Sequence, residues 1–158
     1  MKPVGRSGKF NNIRWIDAVD PADKCGYAIG WLDGDGGRGS KLIPAPRTVT
    51  LKPSEKKSYT RYLAVGRSPA EAVGEVFSYS LVAGTGMLTG TISGKDLPAT
   101  GAMALIKLGK EQSMPAYPDE QGKFSVNLLP DNYEITITDR GRKTFEGMVT
   151  VKNDVNPT

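Results

Sequence analysis

The chain has 158 residues, 38% of them apolar, with 19 glycines, 11 prolines, a net charge of +4 and a single cysteine. That apolar content fills one core of ordinary size or two small ones, and the glycine and proline content demands many turns, so a wholly disordered chain is set aside. The lack of histidine excludes His-dependent triads, His general bases and His-ligated metal centres. Lone Cys25 supplies neither an internal disulfide nor a cysteine-rich zinc site.

The basic residues fall in short groups such as Lys56-Lys57 and Arg140, Arg142, Lys143. They lack the density and interleaved aromatics of a nucleic-acid surface, so no nucleic-acid partner is expected. No apolar run reaches the roughly 20 residues of a membrane span, and Met1 to Arg6 lead into no secretory apolar stretch. The expectation is no membrane insertion, in either a cytoplasmic protein or a mature or excised piece of a longer exported chain.

Strand patterns begin at Tyr27 to Leu32 and continue at Thr48 to Leu51, where Val49 and Leu51 alternate with threonines. A charged turn, Lys52 to Lys57, then leads into Ser58 to Val65, a hairpin candidate. In it Tyr59, Arg61, Leu63 and Val65 share one face, and Thr60, Tyr62 and Ala64 share the other. The helix signal is Ser68-Pro69-Ala70-Glu71, with a cap hydroxyl, Pro at the first helical position and Glu three residues after the cap. A short helix is predicted near 69–78 with Ala72, Val73, Val76 and Phe77 as its apolar stripe, after which Tyr79 to Val82 turns into a strand. The breaker Ala83-Gly84-Thr85-Gly86 marks a boundary between a β-rich unit (1–85) and a second unit (86–158).

Beyond the boundary, strands are predicted at Met87 to Ile92, Ala102 to Leu108, Phe124 to Leu128, Tyr133 to Ile137 and Thr144 to Val151. Phe124 and Tyr133 are predicted to bury their rings between two sheets. Glu134, Thr136 and Thr138, with Glu146, Met148 and Thr150, are predicted to face outward. Several short strands separated by Gly, Pro, Asp and Asn turns describe a small antiparallel sandwich.

The stretches Gly90 to Ser93, Leu97 to Ala102, Pro118 to Val126 and Leu128 to Tyr133 resemble, in order and spacing, the carboxypeptidase regulatory-like domain. That domain is a transthyretin-like β-sandwich found as an accessory module in many exported bacterial proteins. The resemblance covers roughly Gly86 to Lys152. Its most specific part is the Asp-x-x-Gly-x-Phe turn, in which Asp119 can cap, Gly122 can take positive φ and Phe124 can enter the core. Asn132 stands where the family usually has Gly, and Asn tolerates a left-handed turn. Thr60 to Gly66 with Ser68 to Ala72 resembles a stretch that precedes such sandwiches in large exported bacterial proteins, where the upstream part is another β-rich domain. The resemblance implies an accessory role and brings no catalytic residue with it.

Other constellations are weighed on their chemistry. Gly34-Asp35-Gly36-Gly37-Arg38-Gly39 meets the spacing of a dinucleotide loop, but Pro44 and Pro46 forbid the helix that would face the pyrophosphate, so a flexible hairpin loop and no cofactor are expected. Asp33-Gly34-Asp35 fails the calcium-loop pattern because Pro44 holds the position of the bidentate Glu, and Asp17, Asp20 and Asp23 read as acidic turns, so no metal is expected. Arg61 and Tyr62 point to opposite faces of a strand and form no catalytic pair, while Tyr59 and Arg61 read as ring packing with a snorkelling cation. Trp15, Trp31 and Tyr117 are candidates for stacking on sugar rings, and Trp31 and Tyr117 are retained as the binding candidates. Cys25 reads as a partly or fully buried thiol.

The expectation is therefore an all-β chain: an Ig-like or transthyretin-like antiparallel β-sandwich preceded by a β-rich unit with one short helix. The expected role is a non-catalytic accessory or interaction module of a bacterial exported or cell-surface protein, extracellular or periplasmic, with a protein domain or a surface polysaccharide as partner. A carbohydrate-binding module is the alternative, and a fragment of a glycan-active enzyme comes third.

Overall fold

The computed structural model describes residues 4–10, 13–20, 25–32, 50–56, 58, 60–79, 84–94, 101–109 and 112–153. Among the described residues the chain is mostly antiparallel β-sheet with one helix, an all-β, sandwich-like architecture. The first sheet runs in chain order through β1 (Val4–Phe10), β2 (Ile13–Asp20), β3 (Cys25–Leu32) and β4 (Tyr62–Gly66). Its register sets Trp15 opposite Gly30, Asp17 opposite Ala28, and Ala28 opposite Ala64, which by the two-residue alternation of a strand places all of them on one face.

That face is shallow because it is rich in Ala and Gly, and the helix α1 (Pro69–Tyr79) lies on it. A Cβ at Gly30 would overlap Val76, and one at Gly26 would overlap the backbone of Ser68. Trp15 meets Phe77 edge-on, with ring centroids 5.5 Å apart and planes at 86°. The helix starts as its sequence predicts: Ser68 Oγ accepts from the amide of Glu71 at 3.2 Å and Pro69 is the first helical residue. The Glu71 carboxylate reaches past the cap to the amide of Arg67 (2.6 Å) and also pairs with its guanidinium (3.3 Å). Ala72, Val73, Val76 and Phe77 are wholly buried, as is Ala70, and Gly74 on the flank of the stripe is buried too. A helix buried on more than one side packs against more than one partner, and the second partner of α1 is the sandwich.

The sandwich consists of a ribbon, β5 (Gly86–Thr91) with β8 (Lys123–Leu128), and a four-stranded sheet. The sheet contains β6 (Ala102–Leu108), β7 (Gln112–Ala116), β9 (Asp131–Asp139) and β10 (Arg142–Val151) in the order β10-β9-β6-β7. Pro115 sits on β7, the edge strand, where a missing amide is tolerated. Leu88, Phe124, Val126 and Leu128 of the ribbon join Ala104, Ile106, Met114, Tyr133 and Ile135 of the sheet in one cluster, which continues through α1 to Trp15 and Ala28. Phe124 is 7% and Tyr133 1% exposed, as their places in the pattern predict.

Turn chemistry accounts for the strand ends. Asp119 Oδ1 accepts from the amides of Gln121 (2.9 Å) and Lys123 (2.8 Å), and Gly122 has φ +79°. Arg140 and Gly141 both have positive φ, the conformation of a two-residue hairpin turn between β9 and β10. Asn132 is not left-handed but lies within β9, where its Oδ1 accepts from the Thr150 hydroxyl at 2.6 Å.

Four expectations are corrected. The turn at Lys52 to Glu55 forms, with the Glu55 amide donating to the Lys52 carbonyl at 3.0 Å and Ser54 at φ +67°, but Thr50 and Leu51 carry no strand and β4 pairs with β3. Thr48 and Val49 lie outside the described residues. On β4 the core face carries Ala64, whereas Leu63 and Val65 are 69% and 65% exposed, because α1 follows Gly66 immediately and needs the smaller side chain beneath it. Thr138 is buried at 8%, contrary to its predicted outward exposure. At Tyr79 the helix continues where a strand was expected to begin; residues 80–83 are outside those described. No helix among the described residues is long and apolar enough to cross a membrane.

Candidate functional site

The two aromatic candidates sit in different sheets. Trp31, 3% exposed, lies on the face of the first sheet turned away from α1, the face that also carries buried Ile16 and Ala18, and the Arg61 guanidinium stands 5.4 Å from its ring centre. Its Nε1 is buried without a hydrogen-bond partner. Tyr117 follows β7 and is half-buried, and Trp15 is a core residue under α1. Asp17 is buried at 3% on the helix side of β2, while Asp20 ends the strand exposed and, three residues on, faces the other way. Asp23, the residues Asp33 to Gly39, Pro44, Pro46 and Tyr59 lie outside the described residues. Cys25 opens β3, half-buried, with its thiol 3.9 Å from the Gly26 carbonyl. Among the described residues no three His, Cys, Asp or Glu side chains converge as a metal site would require.

A different set of residues converges on the outer face of the ribbon. The β5–β8 register places Thr91 opposite Lys123 and Thr89 opposite Ser125, so hydroxyls and an ammonium alternate along one surface. The turn before β8 sets Asp119 beside Lys123, and the turn before α1 sets Arg67 along the other side. Together they border an open groove of about 570 Å³, within the ~300–1,000 Å³ usual for small-ligand sites. Its charged groups are two cations and one carboxylate. The ring that borders it, Phe124, lies against Gly90, where an added Cβ would overlap it, and only 7% of the residue is exposed.

A smaller cleft of about 310 Å³ lies on the sheet, beside Lys107, Glu134, Asn132 and Met148. Lys107 Nζ meets Glu134 Oε2 at 2.8 Å, and this hydrogen bond and charge raise the ammonium above its ordinary pKa. Lys143 in turn hydrogen-bonds Glu146 and holds that carboxyl below the usual carboxylate range. Tyr133 also borders this cleft, but its side chain is buried: the hydroxyl donates to the Leu129 carbonyl at 2.7 Å, and burial pushes its phenol far above the ordinary value.

Sequence reasoning places Thr89 and Thr91 on the side of a strand away from the core, but the groove depends on which strand pairs with which. Strand β5 pairs with β8, across two intervening strands, and Arg67 arrives from the other side of α1. Nothing in local spacing signals that meeting. Comparison with protein-family models, with curated proteins and with solved structures gives no match for this chain.

Proposed function

We propose that this chain is a non-catalytic interaction module of an exported or cell-surface protein, and that it docks through the outer face of the β5–β8 ribbon. The observation that carries this reading is the state of the groove's carboxylate. Asp119 Oδ1 is engaged by two backbone amides of its own turn, so the group that would serve as acid or base is committed to holding the β7–β8 connection. Arg67 is likewise drawn to Glu71. What faces solvent besides these is a set of hydroxyls with the Lys123 ammonium, which suits recognition. The resemblance of residues 86–152 to an accessory sandwich supports the same role and the exported setting.

The test is a turnover screen of the full chain on peptide, ester, phosphate and glycan substrates. The expected result is no turnover on any of them. A turnover number that falls when Lys123 or Arg67 is replaced, with the fold intact by circular dichroism, overturns the proposal.

A further inference from the structure

We infer that the ligand of the ribbon groove is an acidic polysaccharide, one whose sugar rings carry carboxylates. The inference rests on the reading of the chain as a binding module and adds the ligand class.

Three features of the groove select among ligands. First, neutral sugars and single-stranded nucleic acids are held largely by stacking on exposed rings, and the bordering ring, Phe124, is spent on the core against Gly90. Affinity must therefore come from polar and charged groups. Second, those groups are the hydroxyls of Thr89, Thr91 and Ser125 with the ammonium of Lys123, beside the Arg67 guanidinium, which a ligand carboxylate would share with Glu71, and Asp119, whose Oδ1 is taken up by the amides of its own turn. Hydroxyls both donate and accept, which matches the alternating hydroxyls of a sugar chain, and the cations match a carboxylate. Third, an extended peptide bound along strands asks for apolar pockets that take alternate side chains. The outward positions that line the groove, Thr89, Thr91, Lys123 and Ser125, offer none, and the exposed Met87, farther along the same face, is not part of its lining. The groove is open, so a polymer can run along it without threading an end.

The experiment is calorimetric titration of the full chain with polygalacturonate, with dextran as the uncharged polymer and poly-L-glutamate as the acidic peptide, at about 50 and 200 mM salt. Expected are binding of polygalacturonate that weakens at the higher salt, no measurable dextran binding, and clearly weaker binding of poly-L-glutamate. Lys123→Ala, at an exposed position, should weaken polygalacturonate about threefold or more. Thr91→Val keeps every charge and should weaken it to a smaller extent. The inference is overturned by equal binding of dextran or of poly-L-glutamate, or by a folded Lys123→Ala chain that binds unchanged. Absence of both binding and turnover overturns the acidic-glycan inference alone, whereas turnover of polygalacturonate overturns the module reading with it.

Discussion

In the sandwich, two turns are set by residues that touch one another along the chain: Asp119 holds the turn into β8 and Arg140-Gly141 forms the turn into β10. The first sheet is assembled differently. Its fourth strand joins only after residues 33–61, and its helix is seated by contacts between surfaces distant in sequence, Gly30 against Val76 and Trp15 against Phe77. The helix then turns its other side to β8, so closely that a Cβ at Gly74 would fall 2.6 Å from the Asn127 carbonyl oxygen, while Asn127 Nδ2 donates to Glu75 at 3.2 Å. One region is specified by local turn chemistry and the other by shape fitted to a shared helix.

The most severe way to break this arrangement is Phe77→Ala. Removing a wholly buried ring should cost about 3–5 kcal/mol, and because α1 serves both regions the loss should appear in a single transition. Tryptophan fluorescence reports the first sheet, through Trp15 and Trp31, and amide signals of β6 and β9 report the sandwich. Two separate midpoints in this variant would show that the regions unfold independently.

Gly74→Ala probes the second side of the helix. In an open helix this change gains about 1 kcal/mol, but the neighbour here is backbone and cannot swing aside, so overpacking should reverse the sign and cost about 1–3 kcal/mol. A rise in melting temperature would mean that α1 stands farther from β8 than described. Within the sandwich, Tyr133→Phe removes the bond to Leu129 and should cost about 1 kcal/mol. The same variant has a pH signature. Burial raises the phenol above its ordinary value of 10.0, so its contribution is complete below that pH and is lost as pH rises beyond it. Stability curves of the two chains should therefore converge in alkali, and parallel curves would remove Tyr133 from the titration.

Smallest is Lys143→Ala. Both partners are exposed, so the melting temperature should hardly move. A carboxylate whose pKa is lowered in the fold stabilises above its unfolded pKa and loses that contribution as pH falls. In the variant, Glu146 should titrate nearer the ordinary range by NMR, and an unchanged Glu146 would show that the pair does not form in solution.

The same contrast decides how much could be read in advance. The Ser68 cap, Pro69 start, Gly122 turn and buried Phe124 follow from residues within a few positions of one another, and each was legible. The face of β4 was not, because Leu63 and Val65 outrank Ala64 in hydrophobicity, and only the arrival of α1 makes the small residue the buried one. The groove was illegible for a related reason: Thr91 and Lys123 are ordinary surface residues until strand pairing sets them opposite each other.

The double burial of α1 also bears on how this chain could be exchanged as a cassette. A transplant that took only residues 86–158 would leave behind Glu75, the partner of Asn127, and Gly74, which lies against Val126. The transplanted sandwich would reach its new host with the flank of β8 that α1 covers newly wetted. A self-sufficient graft would have to begin no later than Ser68, carry the helix with it, and find in its host a surface of small residues on which the other side of that helix could rest.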